Sequence, residues 1–470
     1  MAEITRTLAE YVAGLAFEDL PGDVVERAKL LILDTAGIAI RARTGIDSTP
    51  PMLRACKRLG LSHGEAAVFG DAATYAPAGA ALINGALAHS LDFDDTHAAA
   101  ILHASAPVLP AAIAAAELGG GDGRRLLAGL VAGYEVACRL SLALDPGALY
   151  ERGYHPTPVA GGFGAAAAAA NILGLDVDAT ENAFGICLSE ASGTLQFLEN
   201  GAWTKRFQVG AAAKHGLTAA LLAAESYSGA ARAIEGKLGF LHAYTDNPRP
   251  EMAVADLGER YETLSIALKP YPSCRWGHGA IDATIRLRAE HGITADEVEA
   301  MTVGASRKAM ILIGDPQETR KHPKNVVDGQ FSGNFVTAVA LIEGTLDWDH
   351  YDTHLGDPRT LALAELIDVV HDADAEAEYP RMAGKVTIET KRGTFEAFVT
   401  FPKGEPENFV TSEEVRAKFT MLAAPCIGDG PAEALADRLA ALEAEPDIHA
   451  LIRASAPTGE PGLAAAAGDD

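Results

Sequence analysis

From Pro77 to about Phe240 the chain runs through one alanine- and glycine-rich segment after another, with few bulky residues between them. Side chains this small let helices approach closely, so the run favours a bundle of tightly crossed helices over a sheet-based core. Residues 111–118, 123–144, 164–173, 179–191 and 211–226 carry the helical pattern, with glycines at their expected ends. The aromatic content of 6% agrees.

Upstream, residues 1–45 read as two helices broken at Leu20-Pro21-Gly22, with Pro21 suited to a first helical turn and Val24, Val25, Ala28, Leu31 and Ile32 supplying the period. Residues 60–76 read as a loop or short extended element. The texture changes near Thr263. Residues 300–304 look extended and follow a capping-box pattern, Thr294-Ala295-Asp296-Glu297. Residues 386–390 and 394–399 alternate about the turn Lys391-Arg392-Gly393, which predicts a β-hairpin. A second capping box, Thr411-Ser412-Glu413-Glu414, returns the chain to helix, and 433–442 is amphipathic. The expected fold is therefore mainly α. A large all-helical domain (1–264 and 406–458) carries a smaller inserted α+β domain (265–405), and 459–470 is expected to be a disordered tail.

A chain of 470 residues with a formal net charge of -26 lacks the basic footprint that nucleic acids and anionic membrane surfaces require, so neither is expected as a partner. An anionic substrate would need a local basic pocket. The five cysteines are scattered without a Cys-x-x-Cys pair, which suggests no zinc ribbon, iron–sulfur cluster or disulfide framework. A soluble protein in a reducing cytoplasm is expected, with no basic-apolar leader at the N-terminus.

The chemistry concentrates at His89-Ser90-Leu91-Asp92-Phe93-Asp94-Asp95-Thr96-His97, followed by His103. Buried charge is costly unless paired or used, and this cluster stands between two of the most apolar stretches of the chain. If the preceding helix continues to Thr96, then His89, Asp92 and Thr96 share one face. The plainer readings make His89 a satisfied core histidine and let Asp94, Asp95 and His97 shape a helix end. A metal site is disfavoured because no Glu-x-x-His or His-Glu-x-x-His helix accompanies the cluster. Further candidates are Tyr154-His155 just before a helix start, Lys205-Arg206 before another, and Lys269-Pro270-Tyr271-Pro272-Ser273-Cys274-Arg275 where the texture switches.

The stretch Asn84 to His97, with His103-Ala104-Ser105-Ala106-Pro107, closely resembles the signature of the MmgE/PrpD family, which includes 2-methylcitrate dehydratase, cis-aconitate decarboxylase and iminodisuccinate epimerase. The likeness continues through Gly153-Tyr154-His155-Pro156-Thr157, Trp203-Thr204-Lys205-Arg206-Phe207 and Lys269 to Arg275, and covers about residues 5–455. The resemblance implies a helical domain with an α+β lid, a homodimer, no metal or other cofactor, and a di- or tricarboxylate substrate. It also implies Asp92, Thr96, His103, His155, Lys205 and Lys269 as active-site positions. Cys274 and Phe335 stand where the decarboxylase branch has a histidine and a tyrosine, and Gln208 where many relatives carry a histidine.

Taking a proton from carbon beside a carboxylate gathers negative charge on that carboxylate, and cations such as Lys205, Lys269 and Arg275 would stabilise it. Imidazoles titrate near neutral pH, so His103 and His155 are the acid–base candidates, with Asp92 orienting one of them or holding it charged. Thr96, Tyr154 and Cys274 complete the expected substrate contacts. The expected activity is a hydro-lyase resembling 2-methylcitrate dehydratase. Decarboxylation or epimerisation is the alternative, and a non-catalytic carboxylate-binding protein is the reading of a different class.

Overall fold

The computed structural model describes residues 3–457, so the expected tail at 459–470 lies outside the described residues. The described chain is mainly helical and forms two compact units. One comprises residues up to Ala267 together with those from Thr411 onward, and the other runs from Leu268 to Val410.

The larger unit is a helical bundle. Its principal helices are α1 (Gly22–Gly45), α2 (Pro77–Ala88), α3 (Ser105–Gly119), α4 (Gly123–Ala143), α5 (Pro156–Leu173), α6 (Thr204–Ala224) and, from the C-terminal segment, α7 (Ser412–Ile427). Helix α5 is the hub, packed against α3, α4 and α6 and buried on every side from Pro156 to Ala170. Small residues make this possible. A Cβ on Gly164 would stand 2.6 Å from the Gly133 carbonyl oxygen, and one on Gly210 would stand 2.2 Å from that of Leu82. The second crossing brings the end of α2 to the start of α6, and both ends carry chemistry. Helix α4 is long and apolar enough to cross a bilayer, yet it is buried within this unit as a core helix.

Several helices begin earlier than the sequence pattern suggests. Helix α3 starts at Ser105 and α5 at Pro156, because a proline in a first turn gives up only an N–H that has no partner there. One expectation fails outright: α2 stops at Ala88 and does not run on to Thr96. His89 caps it, Asp92 turns into the left-handed region at φ 53°, and Thr96–His97 form a short strand, β1, which pairs antiparallel with β2 (Ile266–Ala267).

The smaller unit holds a four-stranded sheet of β3 (Val298–Ala305), β4 (Ile367–His371), β5 (Gly384–Thr390) and β6 (Gly393–Val399), in the order β4-β3-β5-β6. The β3–β4 pair is parallel and the others antiparallel. The expected hairpin is β5–β6, with Thr390 facing Gly393 across a two-residue turn. Both capping boxes form, the first on a short 3-10 turn and the second at the start of α7.

Candidate active site

The break after α2 turns its chemistry inward. His89, Asp94, Asp95 and His97 are all buried, so none is a solvated helix-end residue. Asp94 is fully enclosed, and its Oδ2 lies 2.6 Å from His89 Nδ1 and 3.2 Å from His103 Nδ1. The His89 bond is well formed, whereas the His103 contact is within range but poorly aligned. Burial alone would push the Asp94 pKa up, but the two imidazoles outweigh it and hold the carboxyl well below the usual range. Burial pushes His89 down to about 4, with Asp94 opposing, so at neutral pH a neutral ring donates to a carboxylate. His89 is thus buried and satisfied at Nδ1, as its plainer reading has it. Its ring stands edge-on to His103, centroids 4.8 Å apart, and stacks on His155 at 5.7 Å.

The donor atoms of His89, Asp94 and His103 lie within 4.8 Å of one another. Two ligands on a tetrahedral zinc stand roughly 3.3 Å apart. The 2.6 Å separation of His89 and Asp94 is a hydrogen-bond length, so a proton holds this pair.

A second ion pair flanks the first group. Lys205 Nζ lies 2.7 Å from Asp92 Oδ1. Lys205 and Arg206 occupy the first turn of α6, where the helix dipole disfavours cations, so other contacts must hold them there. Asp92 holds Lys205, and Arg206 donates to Ser48 Oγ at 3.1 Å. The left-handed backbone at Asp92 costs on the order of 1 kcal/mol, and strain of this kind collects at functional sites. Lys418 of α7 steadies the loop between the two aspartates. Its amine pairs with buried Asp34 at 2.5 Å, donates to the Phe93 carbonyl at 2.8 Å and lies 3.6 Å from the centre of the Phe93 ring.

His155 caps α5 and is buried. Its Nδ1 is 2.8 Å from Gln208 Nε2, and its ring meets Phe197 edge-on at 5.8 Å. Thr157, two residues on, accepts the His103 backbone N–H at 3.2 Å and ties α5 to the histidine segment. The Thr96 hydroxyl is buried with no hydrogen-bond partner among the described residues, which leaves it for a ligand. Tyr154 is half-buried beside Tyr244, with ring centroids 5.6 Å apart. The structure thus gathers Asp92, Lys205, His103 and His155 around His89 and Asp94. Sequence reasoning passed over His89, Asp94 and Gln208 as actors, and the one available signal was three acids and two imidazoles in nine residues.

The remaining sequence candidates belong to the smaller unit. Arg275, expected as a substrate cation, is buried and committed: its Nε and Nη2 each lie 2.8 Å from Glu405 Oε1, and Nη1 donates to the Leu268 carbonyl at 3.2 Å. Lys269 and Cys274 are buried as well, and the Cys274 N–H donates to the Gln330 carbonyl at 2.8 Å.

Asp95 differs from its neighbour. Both its oxygens lie 3.2 Å from the Ser105 N–H, and burial pushes it up to about 7, only partly offset by Ser105. Between about pH 4 and 7 the folded protein therefore holds a proton that the unfolded chain has released, so stability falls as pH rises through this window. Asp95→Asn should remove that loss. Its gain in unfolding free energy over wild type is expected to be near zero at pH 4 and up to ~4 kcal/mol at pH 8. The cost of keeping His89 neutral cancels in the difference. Thermal denaturation of both proteins across this range checks it, and a pH-independent difference would refute it.

A helical unit that buries two carboxylates, each against a basic side chain, with further imidazoles at hand, has the groups that acid–base chemistry needs. The chain belongs to the MmgE/PrpD family: residues 6–253 match the MmgE/PrpD N-terminal domain and residues 271–444 the MmgE/PrpD C-terminal domain. It is 29% identical to the cis-aconitate decarboxylase-like protein oryM of Aspergillus oryzae, over 96% of each chain. It is 28% identical to the cis-aconitate decarboxylase of Aspergillus terreus, over 96% of this chain and 95% of that one. With the cis-aconitate decarboxylase of Mus musculus the identity is 26%, over 96% and 93%.

Proposed function

We propose that this chain acts on a di- or tricarboxylate through a carbanion or enediolate formed at the His103–Asp94 pair. It is an enzyme of the lyase class, as its relatives are. The observation that carries the reading is a histidine backed by a buried carboxylate, next to a lysine held by a second one. His103 keeps 15% of its side chain exposed while His89 keeps none, so of the two rings beside Asp94 it is His103 that a substrate can reach. Its Nδ1 faces Asp94, which leaves Nε2 to take a proton from carbon. The imidazolium so formed is stabilised by Asp94. Lys205 and the Thr96 hydroxyl supply donors for the carboxylate that gathers charge.

Elimination of water from a hydroxy polycarboxylate is the outcome this geometry supports best, because His103 can return its proton to the leaving hydroxyl. Loss of carbon dioxide is the second reading, favoured by the names of the relatives. A homodimer in the cytoplasm belongs to the same proposal and rests on the resemblance and the unpaired cysteines. Purified enzyme incubated with methylcitrate, citrate and cis-aconitate, followed by alkene absorbance and evolved carbon dioxide, separates the two outcomes. Turnover of none of them at any neutral pH would sink the proposal. His103→Ala is expected to lose roughly 10³-fold in kcat while still binding tricarballylate, a saturated tricarboxylate.

A further inference from the structure

We infer that Gln208 fixes the tautomer of His155 and so makes that ring a neutral hydrogen-bond donor to the substrate carboxylate, leaving proton abstraction to His103 alone. The inference rests on the proposed lyase reading and deepens it. Two contacts set the orientation of the Gln208 amide. The Thr194 backbone N–H donates to Gln208 Oε1 at 3.0 Å, which places the carbonyl end there. The amide nitrogen then points the other way, 2.8 Å from His155 Nδ1 and 3.3 Å from the Thr194 carbonyl. An amide NH₂ has no acceptor capacity, so Nδ1 must accept and the ring proton must sit on Nε2.

The groups facing the ring keep it neutral. Burial pushes His155 well below its ordinary value, His89, Lys205 and His103 add to this, and only Asp94 opposes. Phe197 contributes an apolar edge. A neutral ring with Nε2–H does not give up its proton; it polarises what it touches. At His103 the arrangement is opposite: the Asp94 carboxylate lies 3.2 Å from Nδ1, an acceptor that favours a proton on that nitrogen and so a lone pair on Nε2. His103 therefore takes the carbon-bound proton and returns it to the departing hydroxyl, which leaves as water while the carbon–carbon double bond forms. His155 holds the carboxylate oxygen on which the electron pair rests. Gln208 touches no reacting atom and acts as a positioning residue.

Gln208→Glu isolates the effect. The carboxylate keeps an oxygen for the Thr194 N–H and sets an acceptor-only oxygen against Nδ1, so the His155 proton moves to Nδ1 and a lone pair faces the substrate. Loss of one such donor should lower kcat by about 10²–10³-fold near pH 8. Part of the loss should be regained as pH falls, because protonating His155 in the variant restores Nε2–H. A merely structural role for Gln208 would give no acid rescue. Nitrogen NMR of histidine-labelled enzyme, with the His155 signals assigned by their loss in His155→Asn, reads the tautomer without substrate. The expected spectrum has a protonated Nε2 and a bare Nδ1 in wild type, reversed in Gln208→Glu. Tricarballylate, measured by calorimetry, should bind the variant at least tenfold more weakly. A protonated Nδ1 in wild type would overturn the inference whatever the activity, as would a variant that binds tricarballylate as wild type does. Failure of all three carboxylates to turn over would instead count against the lyase reading alone.

Discussion

Asp94→Asn should lower kcat by ~10³–10⁴-fold with a much smaller change in KM. Asp94 Oδ2 is hydrogen-bonded to His89 Nδ1 and lies 3.2 Å from His103 Nδ1, and in the enclosed site its charge is the nearest counter-ion for an imidazolium on His103. Asparagine keeps the shape but loses the charge, and its NH₂ group can turn one ring into the wrong tautomer. The effect should fall on the step in which His103 carries a proton, so kcat and kcat/KM drop together. Tricarballylate binding should survive, since Lys205 and its Asp92 partner are untouched. Steady-state kinetics with whichever carboxylate is turned over checks this. A loss of less than tenfold would remove Asp94 from the mechanism.

Arg139→Met should cost ~3–5 kcal/mol of unfolding free energy, the range for breaking a buried ion pair from one side. Arg139 is fully enclosed on α4. Its Nε donates to Glu135 Oε2 at 3.0 Å, and its two terminal nitrogens donate to the Ala255 and Arg260 carbonyls. Glu135 also receives the Glu262 N–H at 3.0 Å and the Thr263 N–H and hydroxyl at 2.9 Å. Methionine fills much of the volume, so the loss would come from a carboxylate without its cation and carbonyls without donors. The same segment leads into β2, and Glu262 meets His97 Nε2 at 2.9 Å, so the site should loosen as well. Urea denaturation measures the loss. Adding Glu135→Gln should recover part of it through the coupling between the two sites. A single-variant cost below 1 kcal/mol would show that the network is not a keystone of the bundle.

Much of the architecture was legible because it is local. Alanine periodicity placed the helices of the bundle, alternation placed β5 and β6, and the threonine–glutamate spacings placed two caps. The helical pattern marked only 164–173 of α5, which starts at Pro156, because the pattern rests on the alanine run and the first turn, with its prolines and glycines, carries none of it. The site was legible as residue types and not as partnerships. Continuing α2 to Thr96 grouped His89 with Asp92 and Thr96, whereas the break at Ala88 and the left-handed Asp92 turn His89 onto Asp94.

By itself the sequence determined which elements form and which chemical groups gather near Asn84–Pro110, since helical propensity, capping and alternation act over a few residues. Only the tertiary structure decided which of those groups is charged and which nitrogen holds a proton. Those outcomes depend on burial and on partners distant in the chain: Lys205 is 113 residues from Asp92, and Gln208 is 53 from His155. A buried ring's tautomer is set by the atom opposite it, and no spacing rule names that atom before the helices have packed.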